Sequence, residues 1–306
     1  MIAVTTTPYS SVLPDRSASA DGDMRLPFRR PAMHLAAELP GTPSTGRMHV
    51  EPRLTRREAL LVGAAGITAV IATACRAGPT QQPARAALGR LLARPSQPTA
   101  EPVLGLSPLG FGSERDGLLY VPQGYRADKP ARLVLMLHGA GGAARGALRP
   151  LMPHADANGL ILLAPDSRDR TWDLLLGPYG PDVDFIDRAL AEVFRRCAVD
   201  SSKITIEGFS DGASYALSLG LTNGDFFSRV VAFSPCIFAP AAYHGSPRVF
   251  ITHGTNDQIL PIERCSRRIV PLLRERGYRV DYREFVGPHT VTPELANAAA
   301  EWIGRG

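Results

Sequence analysis

From residue 113 onward, short β-rich runs alternate in order with stretches of helical periodicity, and that alternation restricts the fold more than any other feature of the chain. The strand segments are Leu118–Val121, Arg132–Leu137, Leu160–Ala164, Lys203–Glu207, Arg229–Phe233, Arg248–Thr252 and Val280–Phe285. Several are continuous apolar runs, as strands covered on both faces must be. Between them, Asp182–Arg196 sets Val183, Ile186, Ala189, Leu190, Val193 and Phe194 on one stripe, with Asp184, Asp187, Arg188 and Arg195 facing away. Pro181 stands where a first-turn proline is tolerated. Further helices are expected over Asp211–Leu221, Pro261–Arg276 and Pro293–Trp302. The expected architecture is three-layer α/β, a mostly parallel twisted sheet with helices on both faces. No repeat of solenoid or propeller length interrupts it.

Composition agrees with a globular domain, since 44% apolar and 21% charged residues suit neither a disordered chain nor a polytopic membrane protein. The net charge of +5 does not point to nucleic acid. Residues 75–306 hold 26 Lys and Arg against 23 acids, with no basic run longer than two, so a nucleic-acid groove has no support.

Residues 1–50 are rich in Pro, Ser, Thr, Ala and Gly without sustained periodicity, and are expected to be disordered. Residues 51–75 read as an export signal. Arg56 and Arg57 precede an uncharged stretch, Ala59–Ala74, that is short for a bilayer span and suits a signal h-region. The arginine pair resembles a twin-arginine signal, and Ala72-Thr73-Ala74-Cys75 resembles a lipoprotein cleavage site with Cys75 as the lipidated residue. An ordinary signal-peptidase site at Ala74 is the alternative. Met48, eight residues before Arg56, is the expected start of translation. Residues 76–112, rich in Pro, Ala and Gln, read as a flexible tether with a short helix around Ala84–Ala93, and residues 113–306 as the domain. An exported protein anchored at Cys75 would touch the membrane through that lipid alone.

Chemistry enters at Gly208-Phe209-Ser210-Asp211-Gly212, which follows one strand and opens a helix. That is the context of a nucleophile elbow, in which a strained turn lifts the serine hydroxyl to the crest while the flanking glycines avoid collisions. A serine needs a base and an orienting acid. Asp257 lies on the loop after Arg248–Thr252, and His289 on the loop after Val280–Phe285. The order Ser210, Asp257, His289 is the one such an elbow demands. The developing oxyanion needs backbone donors, one from the residue after the nucleophile and one from the loop after an early strand. Asp211 supplies the first amide, and Ala140 in His138-Gly139-Ala140-Gly141-Gly142 the second, with Gly141 as the alternative. Nothing in this chemistry calls for a metal or an organic cofactor.

These blocks, together with His253-Gly254-Thr255-Asn256-Asp257 and Gly287-Pro288-His289, resemble the signatures of the α/β-hydrolase superfamily over about Arg115 to Trp302. The segment Gly254–Pro261 is similar to the phospholipase/carboxylesterase family, whose members hydrolyse carboxylic esters and acyl thioesters by a serine acyl-enzyme route. The His138–Gly142 loop is closer to polyhydroxybutyrate depolymerases and feruloyl esterases. The resemblance implies a serine esterase acting on a small ester or acyl substrate; the alternative is a surface lipoprotein that uses the fold only to bind. One departure is Asp211, where the first family usually has Gln; a carboxylate there must point away from developing negative charge.

Other residues carry two readings each. Trp172, on the loop after Leu160–Ala164, is expected as a wall of the substrate pocket, with capping of the core as the alternative. His138 and His253 read as structural histidines. Cys236 and Cys265 both follow strands at the same sheet edge, so a bridge between them is the natural pairing, against free buried thiols; Cys197 enters from the opposite edge.

Overall fold

The computed structural model describes residues 86 and 88–305. The expected disordered stretch, the export signal with Cys75, and the first residues of the spacer lie outside them. Eight strands form one sheet in the order β1-β2-β4-β3-β5-β6-β7-β8. They are β1 (Gly105–Pro108), β2 (Gly117–Val121), β3 (Ala131–Leu137), β4 (Leu160–Pro165), β5 (Val199–Phe209), β6 (Arg229–Phe233), β7 (Arg248–Gly254) and β8 (Val280–Phe285). β1 and β2 pair antiparallel with their neighbours, and the rest of the sheet is parallel.

The helices are α1 (Ala144–Leu148), α2 (Ala155–Asn158), α3 (Asp173–Leu176), α4 (Pro181–Arg196), α5 (Asp211–Thr222), α6 (Ser266–Glu275) and α7 (Pro293–Gly304). Successive residues of a strand point to opposite faces, so the apolar run of β3 feeds two cores. Leu133, Leu135 and Leu137 join α4, α5 and α6 on one side. Val134 and Met136 join α1 and α7 on the other. The longest helix, α4, is set by its sequence: Pro181 starts it, Asp182 and Asp184 complement its positive end and Arg195 and Arg196 its negative end.

The structure departs from the sequence reading at three places. Residues 88–112 do not hang free. Leu91 is fully buried, and its N–H donates to Asn223 Oδ1 at 3.0 Å. The amides of Leu92 and Ala93 donate to Asp187, Arg90 forms a two-pronged ion pair with Asp225, and Gly105–Pro108 adds an edge strand. Side chains from the domain thus satisfy a backbone that its own composition would leave to water. Of the expected helix at Ala84–Ala93, residue 86 is helical, but the chain from residue 88 on is a turn followed by irregular structure. The third helix expected from Pro261 begins at Ser266, after a turn that carries Cys265.

Candidate active site

Ser210 stands between β5 and α5 with φ 58° and ψ −119°, a left-handed conformation that a non-glycine residue adopts only when its surroundings enforce it. The enforcement is visible on both sides. Its N–H donates to Phe233 O at 2.9 Å, tying the turn to β6. A Cβ on Gly208 would strike the Gly212 backbone, and one on Gly212 would strike the Leu137 carbonyl at the end of β3. The elbow can therefore close only with glycine at both positions.

The loops after β7 and β8 continue side by side beyond the paired strands, Thr255 N–H donating to Phe285 O and Asn256 N–H to Gly287 O. His289 follows on the second of these loops, beside Ser210. His289 Nε2 is 2.8 Å from Ser210 Oγ, and its Nδ1 is 2.5 Å from Asp257 Oδ2. Asp257 is itself held: its Oδ1 accepts from the amides of Ile259 and Leu260 at 3.0 and 2.8 Å. Burial pushes its carboxyl up, but the Leu260 N–H and the neighbouring His289 outweigh burial and hold it below the usual carboxylate value. A carboxylate so placed fixes the imidazole with Nδ1 protonated and leaves Nε2 free to accept the hydroxyl proton.

Of the three amides proposed for an oxyanion, Gly141 is engaged, donating to Arg170 O at 2.6 Å, whereas those of Ala140 and Asp211 donate to no group among the described residues. Gly139 packs against Ser210, where an added Cβ would lie 3.3 Å from the serine Cβ. The Asp211 carboxylate accepts a bond from Thr171 Oγ1 at 2.7 Å. That hydroxyl gives the acid a partner of its own.

Trp172 is not a pocket wall. It is fully buried between His138 and Tyr215, with ring centroids 4.8 and 5.2 Å away, and its indole N–H donates to His138 O at 2.9 Å. A large ring at a sheet edge gains more from the core than from solvent, and here its one polar atom finds a carbonyl there. It positions the loop that carries Ala140. The sequence reading missed the other supports of that loop. Arg115 Nη2 donates to Gly142 O at 3.0 Å, and the Asp166 carboxylate accepts from the Ala144 amide at 2.6 Å. His138 Nε2 accepts from Ser167 N–H at 3.0 Å while Nδ1 faces Gly139 O, so the ring is a neutral structural brace. Burial lowers its pKa, in keeping with that state.

His253 is likewise buried, Nδ1 meeting Ser266 Oγ at 2.6 Å and Nε2 meeting Leu260 O at 2.8 Å. Its Nε2 also lies 3.2 Å from Asp257 Oδ2, a contact no motif announced. Cys236 and Cys265 are bridged, and Cys197 is a buried free thiol. A cleft of about 1010 Å³ opens beside the site, lined among others by Gly139, Ala140, Phe209, His289 and Glu207. Phe209 stacks on the His289 ring at 4.7 Å. Ser210, 8% exposed, adjoins that lining through His289 and Gly139.

A serine in a forced left-handed turn, an imidazole bonded to it and a carboxylate behind the imidazole, all on the loop edge of a parallel sheet, define the fold class. The chain has the α/β-hydrolase fold. The family model for phospholipase/carboxylesterase matches residues 183–303 of the chain, a stretch that takes in Ser210, Asp257 and His289. Among curated proteins it is similar to a probable feruloyl esterase C of Aspergillus flavus, 27% identical over 160 residues that cover 49% of this chain and 58% of that one. Feruloyl esterase C of Emericella nidulans is 28% identical over 157 residues, 49% of this chain and 57% of the other. The chain thus spans less than two thirds of the length of the curated relatives it matches. Two solved structures share the fold. S-formylglutathione hydrolase from Staphylococcus aureus has a TM-score of 0.54 at 16% identity, covering 67% of this chain and 99% of that one. Acetyl xylan esterase from Aspergillus awamori has a TM-score of 0.52 at 17% identity, covering 65% and 99%.

Proposed function

We propose that this α/β-hydrolase cleaves carboxylic esters through an acyl-enzyme on Ser210. The observation that carries the reading is the position of His289, within hydrogen-bonding distance of both Ser210 Oγ and Asp257 Oδ2. As the hydroxyl oxygen attacks the ester carbonyl, its proton passes to His289 Nε2, and the Asp257 carboxylate stabilises the imidazolium that forms. The amides of Asp211 and Ala140 receive the oxyanion, each worth about 3–4 kcal/mol of barrier. The C–O bond to the alcohol then breaks and His289 returns the proton to the departing oxygen. Water, deprotonated by the same imidazole, attacks the acyl-serine and releases the acid.

The feruloyl esterase relatives and the esterase-type family model support a small ester as substrate over an amide. Acyl thioesters, which leave more readily, fall within the same chemistry. Depolymerase and feruloyl-type activity is the second reading, favoured by the identity to feruloyl esterases over half the chain. The Cys236–Cys265 bridge and the leader-like residues 51–75 support an exported protein, held at the membrane if Cys75 is acylated.

Turnover of p-nitrophenyl acetate and butyrate by the wild type and by Ser210→Ala tests the reading. The expected result is loss of nearly all turnover in the variant; equal rates would overturn it.

A further inference from the structure

The acyl-enzyme cycle makes no use of the depth of the cleft beside His289, nor of the acid on its floor. At about 1010 Å³ the cleft is at the upper end of the range for small-ligand sites, and much of its wall is apolar, with Ala147, Pro150, Val291 and Ala296 among the residues lining it. Glu207 belongs to that lining although only 1% of its surface is exposed. It comes from the interior of the sheet, in β5 between Met136 of β3 and Val231 of β6. Ile204 and Ile206 enter the core on the α4 and α5 side, so Glu207 and Phe209, on the alternate positions, face the cleft side with α1 and α7.

No hydrogen bond or ion pair of the described residues reaches the Glu207 carboxyl, and its Oε2 is buried without a partner. Burial pushes that carboxyl well above its ordinary value and so favours its protonated form. A protonated carboxyl presents an O–H donor beside a carbonyl acceptor, and leaving such a pair unmatched inside a protein is costly. The other titratable groups lining the cleft are His138, Arg149, His154, His289 and Glu294. Arg149 and Glu294 are exposed, so ionic ligand groups meet charge at the surface, whereas the floor offers an uncharged donor and acceptor. The substrate group that complements such a pair is a hydroxyl.

The side of the substrate follows from proton transfer. His289 must return its proton to the departing oxygen, and the cleft wall continues from His289 through Thr290 to Asn297, so the alcohol half of the ester runs along it. We infer that Glu207 is a specificity-determining residue that binds a hydroxyl on the alcohol half of the ester, about 10 Å from the cleaved bond by three residues of strand. This rests on the serine-hydrolase reading above.

The test measures kcat/KM for hexyl acetate and 6-hydroxyhexyl acetate, with p-nitrophenyl acetate run alongside. The wild type is expected to favour the hydroxylated ester by about tenfold. Glu207→Gln, which keeps a donor and an acceptor, retains most of that ratio, and Glu207→Leu brings it to about one. Because the ratio is taken within each variant, a smaller folded fraction cancels. An unchanged ratio in Glu207→Leu overturns the inference, as does a Glu207-dependent preference for ethyl 6-hydroxyhexanoate over ethyl hexanoate, which would put the hydroxyl on the acyl half. A wild type that splits p-nitrophenyl acetate yet ignores the hydroxyl defeats the role of Glu207 alone. Absence of turnover on every ester defeats the hydrolase reading and this inference with it.

Discussion

Asp257 and Glu207 are both withdrawn from solvent, at 5% and 1% exposure, yet the carboxyl of the first is held below its ordinary value and that of the second is pushed well above it. Asp257 sits on a loop whose turn amides are free to bind it, and two imidazoles lie within 2.5 and 3.2 Å. Glu207 sits inside β5, paired on both sides to β3 and β6, and its buried Oε2 finds no donor among the described residues. Desolvation favours the protonated form of both, and only a loop supplies the donors that overrule it. The loop therefore favours the charged form of its acid, and the strand the neutral form.

The strongest challenge to that contrast is Asp257→Asn. The amide presents no negative charge to the imidazole and favours the wrong tautomer, so kcat on p-nitrophenyl acetate should fall by about 10⁴ with KM little altered. A drop of less than about tenfold would mean that Asp257 is not the acid behind His289. Next in size is His253→Phe, which strands Leu260 O and Ser266 Oγ in the interior. Urea unfolding should register a loss of about 1–3 kcal/mol.

The pH dependence of stability sharpens the comparison, because the two acids act in opposite directions. The folded pKa of Asp257 lies below its unfolded value, so its contribution is full above about pH 4 and is lost as pH falls through the depressed value. That of Glu207 is raised, so the native chain keeps a proton the unfolded chain releases, and stability falls as pH climbs above about 4.5. Relative to wild type, Glu207→Gln should gain stability as pH climbs above about 4.5, by at most about 1.4 kcal/mol per pH unit. Asp257→Asn should lose its disadvantage as pH falls below about 4. Parallel curves would erase the distinction. The smallest effect belongs to Asp211→Asn: with its carboxylate already bonded to Thr171, kcat should change by less than about threefold.

Much of this was legible in the chain because strand ends and glycines leave local signatures. β6 and β8 match their expected limits residue for residue, and Ser210, Asp257 and His289 each follow a recognisable apolar run. Residues 88–108 were not legible, since the side chains that fix them, Asp187, Asn223 and Asp225, lie about a hundred positions away. Trp172 illustrates a different limit. An aromatic residue on a loop is compatible with either a pocket or a core, and the carbonyl that decides the matter belongs to His138. Glu207 did carry a signal, a single ionisable residue at the end of the run Ile204-Thr205-Ile206 in a strand covered on both faces.

The way residues 88–93 are fastened bears on access to the site. Leu91 is clamped by Asn223 at the far end of α5, the helix whose first turn follows Ser210, and twelve residues of helix amount to about 18 Å. Residues 88–93 are therefore held at the far end of that helix from the Ser210 hydroxyl. That fastening keeps residues 88–93 clear of the loop edge that carries the serine, so this stretch of chain and the approach to the hydroxyl do not compete for the same space.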